Sequence, residues 1–159
     1  MPDMLVNLLH LPDEAEQVGA MRNIGVVIRR ANTFEASAVR RFIEDNFSTG
    51  WADELMPCFS RQPVSLHIAI ADGEIIGFAA VEATCRNYFG PTGVLPQQRG
   101  RGVGTALLVV ALHSMRTSGY AYGIIGGVGP AEFYAKAVGA TIIPDSTPGI
   151  YANPLRKRS

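Results

Sequence analysis

The sequence predicts a mixed α/β domain, α+β in character, with a mainly antiparallel central sheet flanked by helices. Three observations carry that expectation. Leu66, Ile68 and Ile70 alternate with His67, Ala69 and Ala71 and run into Asp72-Gly73, the strongest short-range hairpin signal a sequence offers. Val39, Phe42, Ile43 and Phe47 recur at helical spacing. Val103 to Met115 is a long apolar run, opened by alternating glycines and closed near Gly119, which reads as a buried helix.

The elements follow in order. Met4 to Leu9 and the acidic patch Asp13, Glu14 and Glu16 read as an appended strand with a turn or short helix, an N-terminal extension over residues 1–23. Ile24 to Arg29 is β-branched and forms the first main strand, and Asn32 with Glu35 three residues later makes a capping box for a helix from Thr33 to Phe47. Trp51 to Ser60 is a second, shorter helix. The strand ending at Ala71 pairs through Asp72-Gly73 with Ile75 to Thr84, and Tyr88 to Leu95 is the next strand, bulged or unpaired at Pro91 and Gly93. Pro96 to Gly104 is a turn before the long helix. Tyr120 to Ile125 is a strand, Pro130 opens a helix to Val138, and Thr141–Ile143 with Ile150–Tyr151 form a last hairpin before a basic tail over 153–159.

Composition bounds the function. At 159 residues, 47% of them apolar, the chain reads as one domain over 1–159 with material for a real core. Acidic and basic residues number 14 each and charged residues total 18%, so neither a disordered solvating chain nor a nucleic-acid binder is expected. Charges, Gly or Pro interrupt every apolar run before the roughly 18 to 20 residues of a membrane span. The first residues do not resemble a secretory signal, so the expected location is the cytoplasm, with no membrane partner. Cys58 and Cys85 stand in no ligand or redox spacing; both read as buried free thiols, and no metal is expected. Up to Leu95 the chain carries 12 acidic and 7 basic residues, and beyond it 2 and 7. That asymmetry is what a chain would show if its second part held an anion and its first part a cation.

Gln97 to Thr105, with Arg99, Gly100, Arg101, Gly102, Val103 and Gly104, lies between a strand and an apolar helix. Glycines there permit close backbone approach, and the free N–H groups of the helix start make an anion cradle to which two arginines add. A P-loop is excluded because no Gly-Lys-Ser or Gly-Lys-Thr triplet exists. The glycine phase and the lack of an acidic residue about 20 positions on count against a dinucleotide fold, and the plain alternative is a strand-to-helix turn whose arginines face water.

This segment resembles the GNAT superfamily of N-acetyltransferases, whose signature is Gln or Arg, two residues, Gly, one residue, then Gly or Ala. Val94-Leu95-Pro96 before it and Ala106-Leu107-Leu108 after it are also similar. Phe133 to Ala140 resembles the family's Phe-Tyr-x-Lys-x-Gly-Phe ending, with one extra residue before Gly139. The resemblance covers roughly Ile24 to Tyr151. It implies a GNAT-like fold in which the fourth and fifth strands counted from Ile24 splay apart, with acetyl-CoA between them. Val94 and Leu95 backbone groups would pair with the pantetheine arm, and N–H groups from Arg99 to Thr105 would hold the pyrophosphate. Tyr134 aligns with the tyrosine that protonates the departing thiolate, although a core tyrosine beside Phe133 is the plainer reading of the same residue. A homodimer is a further implication, with no interface residue behind it.

Acyl transfer needs a neutral amine, hence a base or ordered water. Tyr88 to Leu95 contains no carboxylate, a departure from many family members. Glu82, sharing a strand face with Ile76, Phe78 and Ala80 by period two, is the candidate base, with a water chain as the equal contender. Glu132 reads as a helix-end charge, and His67, His113 and Cys85 are given no role. The resemblance implies that Asn46 to Glu54 shapes the acceptor pocket, where Trp51, Asp53 and Glu54 would suit an amine cation, with an exposed acidic turn as the equal reading; Tyr88 and Phe89 would add an aromatic wall. The expectation is an N-acetyltransferase acting on a small-molecule amine by direct attack. The alternative is a catalytically silent acyl-CoA sensor.

Overall fold

Residues 1–156 are described by the computed structural model. Lys157, Arg158 and Ser159 of the expected basic tail lie outside them. The strands are β1 (Met4–Asn7), β2 (Val26–Arg30), β3 (Leu66–Ala71), β4 (Glu74–Val81), β5 (Tyr88–Val94), β6 (Tyr122–Ile125) and β7 (Thr141–Ile142). The helices are α1 (Glu14–Asn23), α2 (Ala36–Asn46), α3 (Thr49–Leu55), α4 (Val103–Thr117) and α5 (Ala131–Val138). One seven-stranded sheet runs in the order β2-β3-β4-β5-β6-β1-β7. Every pairing is antiparallel except β5 with β6.

Local chemistry explains the boundaries. Asp72 and Gly73 both take left-handed backbone angles, φ 52° and 77°, which close the tight β3–β4 hairpin. Ser48 caps α3 by accepting from Trp51 N–H at 3.1 Å, and Asp13 caps α1 by accepting from Glu16 N–H at 2.8 Å. Glu35 reaches back to Asn32 N–H at 2.7 Å and also pairs with Arg29 at 2.6 Å, so the expected capping box ties the start of the α2 region to β2. A 3-10 turn, Thr33–Glu35, precedes α2, and another, Met56–Ser60, follows α3.

The sheet separates two cores. On one face α4 buries nine residues, from Val103 to Met115, against the sheet and α1, with Tyr134 and Val138 of α5 in the same cluster. Sandwiched between α1 and the sheet, α4 is apolar over most of its circumference. On the other face Val39 and Ile43 of α2 with Ala52 and Leu55 of α3 cover Leu66, Ile68, Phe78 and Ala80.

Two expectations are corrected. Met4–Asn7 is not appended but lies inside the sheet, between β6 and β7, with Met4 1% and Val6 0% exposed. A four-residue β6 that pairs with β5 at only two positions needs a partner on its other side, and the apolar alternation Met4, Val6 supplies it. The last hairpin does not form: β7 pairs with β1, and Gly149–Tyr151 is a 3-10 turn. Of the two free thiols, Cys58 is buried and Cys85 half-buried.

Two outcomes follow from this packing. A Cβ at Gly93 would lie 2.6 Å from Phe47 Cε1, whereas one at Gly19 in α1 meets nothing within 4 Å. In urea titrations Gly93→Ala should therefore lose about 1–3 kcal/mol and Gly19→Ala should gain roughly 0.5–1 kcal/mol. His67 is 3% exposed, and burial, then the charge of Arg30, pushes its imidazole from 6.5 down to about 3. The unfolded chain takes up a proton that the folded one refuses, so stability should fall as pH drops from 6.5 toward 3. His67→Gln, measured by denaturant midpoints across that range, should flatten the slope.

Candidate active site

β5 and β6 pair only at Tyr88↔Ile124 and Phe89↔Ile125, and then part. The ladder between β4 and β5 shifts register between Ala79 and Val81, where β5 carries the extra residue around Gly90-Pro91 as expected at Pro91, whereas Gly93 pairs regularly with Phe78. The parting opens a cavity of about 660 Å³. Trp51 and Glu54 of α3, Tyr88 to Thr92 of β5, the loop Gly126 to Pro130, Tyr134 of α5, and Thr147, Pro148 and Tyr151 of the C-terminal segment form its walls.

Tyr134 is 7% exposed, its ring edge-on to Phe89 at 6.3 Å and to Phe133 at 5.0 Å. Burial raises its pKa above the ordinary tyrosine value, so the phenol stays protonated at neutral pH. Thr84 Oγ1 donates to Glu54 Oε1 and so orients that carboxylate on the wall. Burial and then the nearby Glu54 charge raise the Tyr151 phenol.

Asp3, 8% exposed, joins the walls from behind. Its Oδ1 accepts from Gly127 N–H at 2.7 Å and its Oδ2 from the Tyr88 hydroxyl at 3.3 Å. Its own N–H donates to Ser146 Oγ at 2.8 Å. Close packing requires glycine at 126, where a Cβ would lie 2.9 Å from Tyr88 Cδ2, and Gly127 takes φ 53°, a conformation that favours glycine.

At the other end of the gap stands the glycine turn. Gly100 and Gly102 have φ 79° and 86°, a conformation that glycine adopts without strain. The first helical bond of α4 runs from Ala106 N–H to Gly102 O at 3.0 Å, which leaves the N–H groups of Val103, Gly104 and Thr105 without a partner inside the helix. Gly104 sits beside Val94 of β5 and Phe133 of α5, so the turn and Tyr134 flank one cleft. Arg99 Nε donates to Val94 O at 3.1 Å.

The structure thus brings Trp51, Glu54, Tyr88, Phe89 and Tyr134 to one cavity. Four expectations change. Glu82 is not in the wall: β4 ends at Val81, Glu82 takes φ 57°, and its carboxylate meets Asn87 N–H at 3.3 Å and Arg61 at 3.4 Å. The period-two face fails because the register slip between Ala69 and Ile70 sends Ile76 to the opposite core from Phe78 and Ala80. Asp53 turns away to pair with Arg40 at 2.7 Å. Leu95 N–H donates to Ile76 O at 2.9 Å, so its amide faces β4; by strand alternation it is the Val94 peptide group that faces the gap. Arg101 bonds Gln98 Oε1 and the Ile24 carbonyl, which commits its guanidinium to the protein. Sequence reasoning missed Asp3, Thr84, Tyr151 and the Gly126–Gly129 loop. Only the three glycines in four positions, Gly126, Gly127 and Gly129, carried a local signal.

Asp3→Ala should leave the Gly127 amide and the Tyr88 hydroxyl without their partner, at a cost of about 1–3 kcal/mol. Thermal unfolding of the variant, together with faster hydrogen exchange at Gly127, checks it; Asp3→Asn, which keeps one acceptor oxygen, should lose less.

Residues 62–137 match the family model of the acetyltransferase (GNAT) domain. No curated protein matches the sequence. Among solved structures the chain is similar to the GCN5-related glucosamine N-acetyltransferase region of a fungal multi-domain GH3 β-N-acetylglucosaminidase, with TM-score 0.72 and 16% identity over 89% of this chain and 19% of that one. It is also similar to a GCN5-related N-acetyltransferase from Sphaerobacter thermophilus, with TM-score 0.63 and 19% identity over 89% of this chain and 48% of that one. The chain spans less than half the length of either protein. Neither shares enough identity to speak to more than the fold, which this chain shares with them; the segment that matches the acetyltransferase (GNAT) domain model, residues 62–137, contains β5, the glycine turn and α4.

Proposed function

We propose that the domain is an acetyl-CoA-dependent N-acetyltransferase that acetylates the amine of a small molecule by direct attack in a ternary complex. The observation that carries this reading is the gap between β5 and β6, with unpaired helix-start amides at one end and a walled cavity containing a carboxylate and a protonated phenol at the other.

The residues present fit acetyl-CoA. A Cβ at Gly100 would meet nothing within 4 Å, so backbone there is open to a phosphate, and the amides of Val103, Gly104 and Thr105 with the α4 dipole favour an anion. The gap-facing Val94 peptide group would pair with the pantetheine arm as an added strand would. When bound, acetyl-CoA supplies an already activated acyl group, so orientation provides much of the acceleration. Glu54 draws the acceptor's ammonium into the cavity and accepts its proton. As the new C–N bond forms and the C–S bond breaks, Tyr134 would give its phenolic proton to the departing thiolate and be restored by the second proton that the acylated nitrogen sheds, so that the one net proton released is the one held on Glu54. A tyrosine kept neutral by burial suits that role.

Calorimetric titration should show saturable binding of acetyl-CoA and coenzyme A but not of NAD. Gly102→Leu, which forces a side chain onto φ 86°, should abolish that binding in a folded protein. Tyr134→Phe should keep cofactor affinity and lower kcat by about 100-fold or more. Absence of coenzyme A binding overturns the reading; binding with no acceptor-dependent thiol release would favour the sensor.

A further inference from the structure

We infer, on the footing of the acetyltransferase reading, that the acceptor is a primary monoamine carried on a flat apolar body, selected by Glu54 and the aromatic side chains that share its cavity. The charge inventory of the cavity carries the first half of the inference. Among the described residues Glu54 is the one acidic side chain in its lining. The neighbouring candidates are committed elsewhere: Asp53 to Arg40, Glu82 to Arg61 and Asn87, and Asp3 to Gly127 and Tyr88. A second ammonium, as in a polyamine, would be desolvated with no partner. Among the described residues the wall also holds no Lys, Arg or His side chain, so an amino acid's carboxylate would find no side-chain counterion there.

The shape and polarity of the walls carry the second half. Trp51, Phe89, Pro91, Val128, Pro148 and Tyr151 offer rings and methyl groups. An aminosugar would bring several hydroxyls against these surfaces, and the hydroxyls of Thr84, Tyr88 and Thr92 already donate to Glu54, Asp3 and the Phe78 carbonyl, so few donors remain to replace the lost water. A planar hydrocarbon body loses nothing polar and gains area and ring contacts. Trp51 is held in place by Phe47, stacked at 5.7 Å, and by Phe78, edge-on at 6.0 Å, so its face is a fixed platform. The same aromatic faces favour a cation nearby.

Trp51 is the only tryptophan in the chain, so its fluorescence reports cavity binding directly, with or without turnover. Phenethylamine, spermidine, glucosamine and lysine are titrated against the full chain in the presence of coenzyme A, and each is assayed with acetyl-CoA. Phenethylamine should perturb Trp51 at concentrations roughly tenfold or more below the other three, and should have the highest kcat/KM. Glu54→Gln should weaken its binding by about tenfold or more while leaving coenzyme A affinity unchanged. Spermidine, glucosamine or lysine binding more tightly, or an unchanged affinity in Glu54→Gln, overturns the inference and leaves the acetyltransferase reading standing if any amine is acetylated. The expected order of binding without acetylation of any amine upholds the ligand class and overturns acetyl transfer instead. No response of Trp51 to any of the four overturns the inference.

Discussion

Two neighbouring parallel strands that stop hydrogen bonding after two residue pairs impose the constraint on which the rest of this molecule depends. Backbone N–H and C=O groups that leave a ladder must find other partners or lie open to solvent or ligand, because a buried unpaired group costs about 1–3 kcal/mol. The chain meets that requirement at several places at once. Arg99 Nε covers the Val94 carbonyl, Asp3 covers the Gly127 amide, and β1 pairs along the whole free side of β6. What is left uncovered is concentrated in the cleft, and that is where a ligand's own polar groups can take over the missing bonds.

Holding the cleft open is a matter of rigid supports on both sides. α4 is anchored by nine buried residues, so the glycine turn at its start has little freedom to drift relative to β5. On the opposite face, α3 is tied to the sheet through Ala52 and Leu55, which fixes Trp51 and Glu54 on the cavity wall. Phe47, Trp51 and Phe78 interlock where β5 has Gly93, and the lack of a side chain there lets the rings reach the strand. Packing on both faces thus converts a local break in the sheet into a cavity of fixed shape.

Electrostatics within the cavity follow from burial and from contacts distant in sequence. The Tyr134 phenol is kept neutral by burial alone, whereas Glu54 is oriented by Thr84, thirty positions away. Asp3 reaches Tyr88 and Gly127 across separations of 85 and 124 residues. These long-range bonds make the N-terminal strand part of the cavity's construction, although it lies outside the segment that matches the family model.

Elements whose causes are local are legible in the residues alone. Period-two alternation and Asp72-Gly73 place β3 and β4, helical spacing places α2, and the alternating glycines before an apolar run place the start of α4, because each signal depends on residues a few positions apart. The sequence also brought Trp51, Glu54, Tyr88, Phe89 and Tyr134 into consideration. Only the tertiary structure decided which carboxylate faces the cavity. The end of β4 at Val81 and a positive φ remove Glu82, and a cross-helix partner, Arg40, turns Asp53 outward. It likewise decided that Met4–Asn7 inserts between β6 and β7, since a strand's partner is chosen by whichever edge remains unpaired once the chain has folded, and nothing within the strand itself records that edge.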